Sequence, residues 1–143
     1  MPEFRALGQL EVLVDGEPVA LGPPKQRLLL AVLLCRVGEP VPAGELVEAL
    51  WGDAAPASAG ENLRLYVHGL RKVLGGAVVG RGQPGYGLMV DPSAVDLVRF
   101  VDLAADGGRA LAAGANDRAR DLLGAALALW RGRPFADFDD VPV

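Results

Sequence analysis

Histidine, cysteine and lysine are nearly absent from this chain. Among 143 residues there is one histidine (His68), one cysteine (Cys35), and two lysines against twelve arginines. A single thiol excludes an internal disulfide. A single histidine excludes a multi-histidine metal site and leaves one imidazole for any Ser-His pair. Cys35 lies in the apolar run 28–37 and reads as a small buried hydrophobe. The longest apolar run, residues 28–35, is far shorter than the roughly 20 residues of a membrane helix. The start, MPEFRALGQL, lacks the basic-then-apolar order of a signal peptide. These absences point to a cytoplasmic, soluble protein that is not an enzyme, with no cofactor, no metal and no membrane partner.

Two motifs that resemble chemistry fail on detail. The glycine-rich GRGQPG (80–85) lacks the GK[ST] ending of a phosphate loop and precedes a strand instead of opening a helix. Asp137, Asp139 and Asp140 lack the glycine turn and closing glutamate of a calcium loop, and read as a solvated acidic tail.

Hydrophobic residues make up 51%, enough for a core, and the net charge is −4. The charge is unevenly spread. Residues 1–56 carry four basic and eight acidic side chains, and residues 92–143 carry six and eight. Residues 57–91 carry four basic (Arg64, Arg71, Lys72, Arg81) and two acidic (Glu61, Asp91), and are the only net-positive stretch. Screening confines charges to about 8–10 Å, so a local basic face can act within an acidic protein.

Residues 4–22 read as three short strands, with a hairpin at Asp15-Gly16 and the third strand around Val19 and Leu21. From Lys25 the period becomes helical: Leu28, Leu29, Val32, Leu33 and Val37, stopped by Gly38. Residues 43–51 form a second helix. Residues 58–74 form a third, with Ser58 and Glu61 in a capping-box pattern. Val78-Val79 and Tyr86–Val90 flank a Gly/Pro turn as a hairpin. Residues 95–113 and 116–131 read as two further helices. Gly107-Gly108 weakens the first of these, and Leu122, Leu123, Ala126, Leu127 and Trp130 form the stripe of the second. Trp51 and Trp130 read as core anchors.

Three helices followed by a hairpin is the order of a winged helix-turn-helix, whose third helix enters the major groove. On that helix Leu63, Val67, Leu70 and Leu74 fall on one face. Arg64, His68, Arg71 and Lys72 share the other at i, i+4, i+7 and i+8. Spacing alone leaves two readings open, a solvated polar face or a surface of cations and forked donors for phosphates and base edges.

The strings PPKQRLLLAVLL (23–34), ELVEALWGD (45–53), NLRLYVHGLRKVLG (62–75), PGYGLMV (84–90) and LWRGRPF (129–135) resemble the Streptomyces antibiotic regulatory proteins. That resemblance implies an α+β fold: an OmpR/PhoB-type winged helix at 1–91 with leading β-strands and a wing hairpin. It also implies an all-α helical hairpin at 92–143 that begins a bacterial transcriptional activation domain. The family's second domain is normally longer, so this one is expected to be truncated or unusually short.

The function implied is sequence-specific activation of a secondary-metabolite gene cluster. The expected partners are double-stranded promoter DNA with direct repeats, RNA polymerase holoenzyme through its sigma subunit, and self-association on DNA. The expected DNA-contacting residues are Asn62, Arg64, His68, Arg71, Lys72, the wing's Arg81 and Lys25. Members of the family it resembles commonly carry a basic or polar residue where this chain has Gly69 and arginine where it has Gly87, so these glycines read as lost cationic contacts. The alternative is a protein-interaction module whose DNA contacts have degraded. Only Asp91-Pro92-Ser93 separates the two regions, too short a linker for free tumbling, so they should pack together.

Overall fold

The computed structural model describes residues 2–80 and 85–138. Strands β1 (Pro2–Arg5), β2 (Glu11–Val14) and β3 (Glu17–Pro18) form an antiparallel sheet in that order. Asp15 and Gly16 both have positive φ, 53° and 83°, and Val14 pairs with Glu17 across them. Positive φ at both turn residues matches the twist of the flanking strands. The third strand lies earlier than the sequence pattern places it. Val19 adds only one N–H bond to the Val12 carbonyl, at 3.0 Å, and Leu21 leaves the sheet for the core.

Helix α1 (Pro24–Cys35) begins with a proline at its first position, where a missing N–H is harmless. Cys35 is the last residue of α1 and is exposed, which corrects its reading as a buried hydrophobe. The protein around its sulfur still pushes the thiol pKa above its ordinary value, disfavouring the reactive thiolate. Helix α2 (Ala43–Trp51) and α3 (Ala59–Leu74) end at Gly52 and Gly75, with φ of 60° and 62°. The capping box does not form. The Ser58 side chain caps no backbone N–H, and Asn62 Nδ2 donates to its Oγ at 3.3 Å instead. Strands β4 (Val78–Gly80) and β5 (Tyr86–Leu88) pair as the wing hairpin. One core joins these parts: Phe4 and Val12 from the sheet, Leu30 and Leu33 from α1, Leu46 from α2, Leu70 from α3 and Leu88 from β5.

Helices α4 (Asp96–Ala112) and α5 (Asn116–Ala128) pack on each other through small residues. Helix α4 runs unbroken through Gly107 and Gly108. Gly107 is buried, and a Cβ there would stand 2.6 Å from Leu123 Cδ2, so the glycine permits the close approach of the helices. The buried contacts are Ala110, Ala119 and Ala126, with Leu122 and Leu123 partly covered. Leu127 is exposed and Trp130 is partly so, its ring set edge-on to Phe100 at 5.2 Å. Of the expected stripe, Leu122, Leu123 and Ala126 are covered, Leu127 is not, and Trp130 packs on Phe100 at the edge instead of anchoring the core. Trp51 stays partly covered against the core, stacked with Tyr66 at 6.2 Å.

The two regions meet at the loop 6–10, which receives backbone and side-chain partners from both ends of the helical hairpin. The buried Asp96 carboxylate accepts from the N–H groups of Ala6 (2.8 Å) and Leu7 (3.1 Å). On the other side Arg131 N–H donates to the Leu7 carbonyl, Phe135 N–H to Ala6 and Ala136 N–H to Gly8. Asp137 accepts from Leu10 N–H at 2.9 Å and pairs with Arg27 of α1. Asp137 is thus a structural ligand of the loop, not part of a solvated tail. Asp139 and Asp140 lie outside the described residues.

Candidate nucleic-acid interface

Helix α3 divides as its spacing requires. Leu63, Val67, Leu70 and Leu74 are buried, while Glu61, Arg64, Leu65, His68 and Lys72 are exposed. At 3.6 residues per turn the five exposed positions fall within an arc of roughly 100°. Arg64, His68 and Lys72 have no hydrogen bond, ion pair or ring contact to any other side chain or backbone group among the described residues. Most arginines elsewhere are engaged: Arg5 with Glu3 and Glu11, Arg36 with Glu45, Arg109 with Asp106, Arg120 with Asp117. The outward face of α3 therefore carries a small net positive charge, Arg64 and Lys72 against Glu61, in a chain of net charge −4.

Beside Arg64, a shallow groove of about 640 Å³ separates α2 from α3, with Ala43, Gly44, Val47 and Gly60 in its walls. Gly44 and Gly60 have open space where a side chain would be. The first turn of α2 has no side-chain cap, which leaves its leading N–H groups without a side-chain acceptor.

The other expected contacts sit differently. Arg71 lies at the edge of the face and is half-buried. Its Nε donates to the Val78 carbonyl at 3.0 Å, its Nη2 to Gly80, and its guanidinium lies 5.9 Å from the centre of the Tyr86 ring. It ties the wing to α3 and is not presented beside Arg64. Lys25 donates to the Leu50 carbonyl at the end of α2, with Trp51 5.7 Å away. Asn62 is partly covered and occupied with Ser58. Arg81 lies outside the described residues.

Gly69 and Gly87 do not mark lost cations. Gly69 faces α1, and a Cβ there would overlap the carboxamide of Gln26. That carboxamide is buried, donates from Nε2 to the Leu21 carbonyl at 3.0 Å, and is also closely approached by Gly22. Gly87 is buried, and a Cβ would meet Met89 Cε at 2.6 Å and the Glu39 carbonyl at 2.9 Å. Both glycines are set by packing. No pattern in the sequence pairs residue 26 with 69 or 39 with 87; the first contact arises where α1 crosses α3, the second where the loop after α1 passes β5. At the junction, Asp91 accepts from the Ser93 N–H and hydroxyl, which hold its carboxyl below the usual range.

Among the described residues no helix is long and apolar enough to cross a membrane, and no group of three or more His, Cys, Asp or Glu could hold a metal ion.

Comparisons with known proteins agree with this architecture. The family profile for the C-terminal domain of transcriptional regulatory proteins matches residues 16–83, and that for the bacterial transcriptional activator domain matches 95–143. The chain is 40% identical to the transcriptional regulatory protein EmbR of Mycobacterium tuberculosis, over 96% of this chain and 37% of EmbR. It is 44% identical to the regulatory protein AfsR of Streptomyces coelicolor, over 93% of this chain and 14% of AfsR. It is 33% identical to DnrI of Streptomyces peucetius, over 94% of this chain and 54% of DnrI. The chain thus spans between about a seventh and about half of these relatives. A solved structure of M. tuberculosis EmbR in complex with a low-affinity phosphopeptide superposes with a TM-score of 0.93 at 40% identity, covering 98% of this chain and 38% of that one. With an OmpR/PhoB-type winged helix joined to a bacterial transcriptional activator domain, the chain belongs to the Streptomyces antibiotic regulatory protein family of transcriptional regulators, not to a family of enzymes.

Proposed function

We propose that the chain is a sequence-specific DNA-binding transcriptional activator whose α3 enters the major groove. The observation that carries this reading is the band of unpartnered Arg64, His68 and Lys72 on the outward face of α3. Arg64 and Lys72 placed this way can replace counterions on phosphates, and an arginine fork can read a guanine edge. In this reading residues 1–91 are the DNA-binding part and 92–143 begin the activation domain. Arg64, His68 and Lys72 meet the duplex directly, with Asn62 near the backbone and Arg81 as a further contact. Lys25 and Arg71 act indirectly by holding α1 on α2 and the wing on α3.

The family resemblance supports the finer picture. Copies sit on direct repeats in promoters of a secondary-metabolite cluster, in the cytoplasm at the nucleoid, and engage RNA polymerase through its sigma subunit. The test is selection of duplexes from a random-sequence pool, followed by fluorescence anisotropy at several salt concentrations. Enrichment of a defined sequence, bound less tightly as salt rises, is the expected result. No duplex bound at low salt would replace this reading with that of a protein-interaction module.

A further inference from the structure

Leu65 stands among the free cations of α3 and is 66% exposed, more than any other large apolar residue of the winged region that is described. It follows Arg64 directly, precedes His68 by three residues and precedes Lys72 by seven. Single exposed apolar side chains are common on protein surfaces. What distinguishes Leu65 is its position. The core does not need it, because Leu63, Val67, Leu70 and Leu74 already fill the inward face. It projects from the same arc as the unpartnered Arg64, His68 and Lys72, so a duplex that meets them also covers it. The edges of bases in the major groove offer one apolar group, the 5-methyl of thymine.

Resting on the DNA-binding reading, we infer that Leu65 is a specificity-determining residue that packs against a thymine methyl in the bound site. Arg64 and Lys72 supply charge and a hydrogen-bonding fork. Leu65 supplies discrimination that charge cannot, because phosphates are alike at every step while the methyl belongs to thymine alone.

The experiment uses the duplex enriched from the random-sequence pool and replaces its thymines one at a time with deoxyuridine, which removes the methyl and nothing else. At one thymine per recognition helix, the replacement should weaken binding about fourfold, the worth of one buried methyl. Leu65→Ala should bind the thymine duplex weakly by a similar factor and lose the deoxyuridine penalty at that position. Leu65→Met, which keeps an apolar reach, should retain the penalty, and so should Lys72→Ala. Leu65 is exposed, so the variants should melt with the parent. The inference is overturned if no thymine shows a penalty, or if the penalty persists undiminished in Leu65→Ala. A pool that yields no enriched duplex overturns the DNA-binding reading itself, so the two failures are distinct.

Discussion

The carboxamide of Gln26, wedged between Gly22 and Gly69, sets how closely α1 and α3 approach. A methyl at Gly69 would force that carboxamide from its bond to Leu21. Overpacking of this kind costs about 1–3 kcal/mol, against about 1 kcal/mol gained from replacing a helical glycine. Gly69→Ala should therefore lower stability by about 1 kcal/mol in denaturant unfolding. In a Gln26→Ala background the same change should stabilise, because only the helix preference remains. Additive effects of the two substitutions would show that the contact does not govern the packing. Arg71 poses a related question about its role. If its guanidinium ties the wing to α3, Arg71→Ala should destabilise the DNA-free protein by about 2 kcal/mol, the range of hydrogen bonds from a charged donor. Amide exchange should rise across β4 and β5 while the α3 amides stay protected. A residue that merely contacts DNA would leave the free protein unchanged.

Helix α3 works as an element because its two faces are assigned by neighbours on every side. Helix α1 closes one edge through Gln26, the wing closes the other through Arg71, and the exposed arc between them is left to solvent. That geometry predicts which cations set the salt dependence of binding. Arg64→Ala and Lys72→Ala should each flatten the slope of log affinity against log salt by about 0.9 if each meets a phosphate. Lys25→Ala should leave the slope unchanged, since its ammonium is held at the end of α2. Introducing arginine at position 69 or 87 should impair folding rather than strengthen binding. Anisotropy titrations at four or more salt concentrations read these slopes. A slope reduction in Lys25→Ala equal to that in Lys72→Ala would reject the assignment.

At the scale of the molecule, the helical hairpin completes the winged region. The N–H groups of Ala6, Leu7 and Leu10 and the carbonyls of Ala6, Leu7 and Gly8 find their partners in residues 96 and 131–137. Buried backbone groups stripped of such partners cost about 1–3 kcal/mol each. Asp96→Ala should therefore lower stability by about 3 kcal/mol or more, since it strands two donors in a buried loop. A fragment of residues 1–91 should melt well below the whole chain, and the whole chain should unfold in one calorimetric transition. Prompt release of a stable 1–91 fragment by a protease would contradict this coupling. Asp137 extends the coupling to α1 through Arg27, and α1 carries Gln26 against α3.

The amino-acid sequence was enough to determine the element order, the Asp15-Gly16 hairpin, the glycine stops of α2 and α3, and the buried and exposed faces of α3. Each is a local property: a period of apolar residues, a turn that needs positive φ, or a short segment between breakers. Tertiary structure decided everything that depends on which distant residues meet. It withdrew Lys25 and Arg71 from the free cations and gave Gly69, Gly87 and Gly107 to close packing. It left Leu127 of the expected α5 stripe exposed, and it turned Asp96 and Asp137 into ligands of a loop about 90 and 127 residues away. The physical reason is the same in each case. A side chain's conformational and solvation preferences are carried along the chain, but its hydrogen-bond partner and the space beside it are set by how distant elements pack.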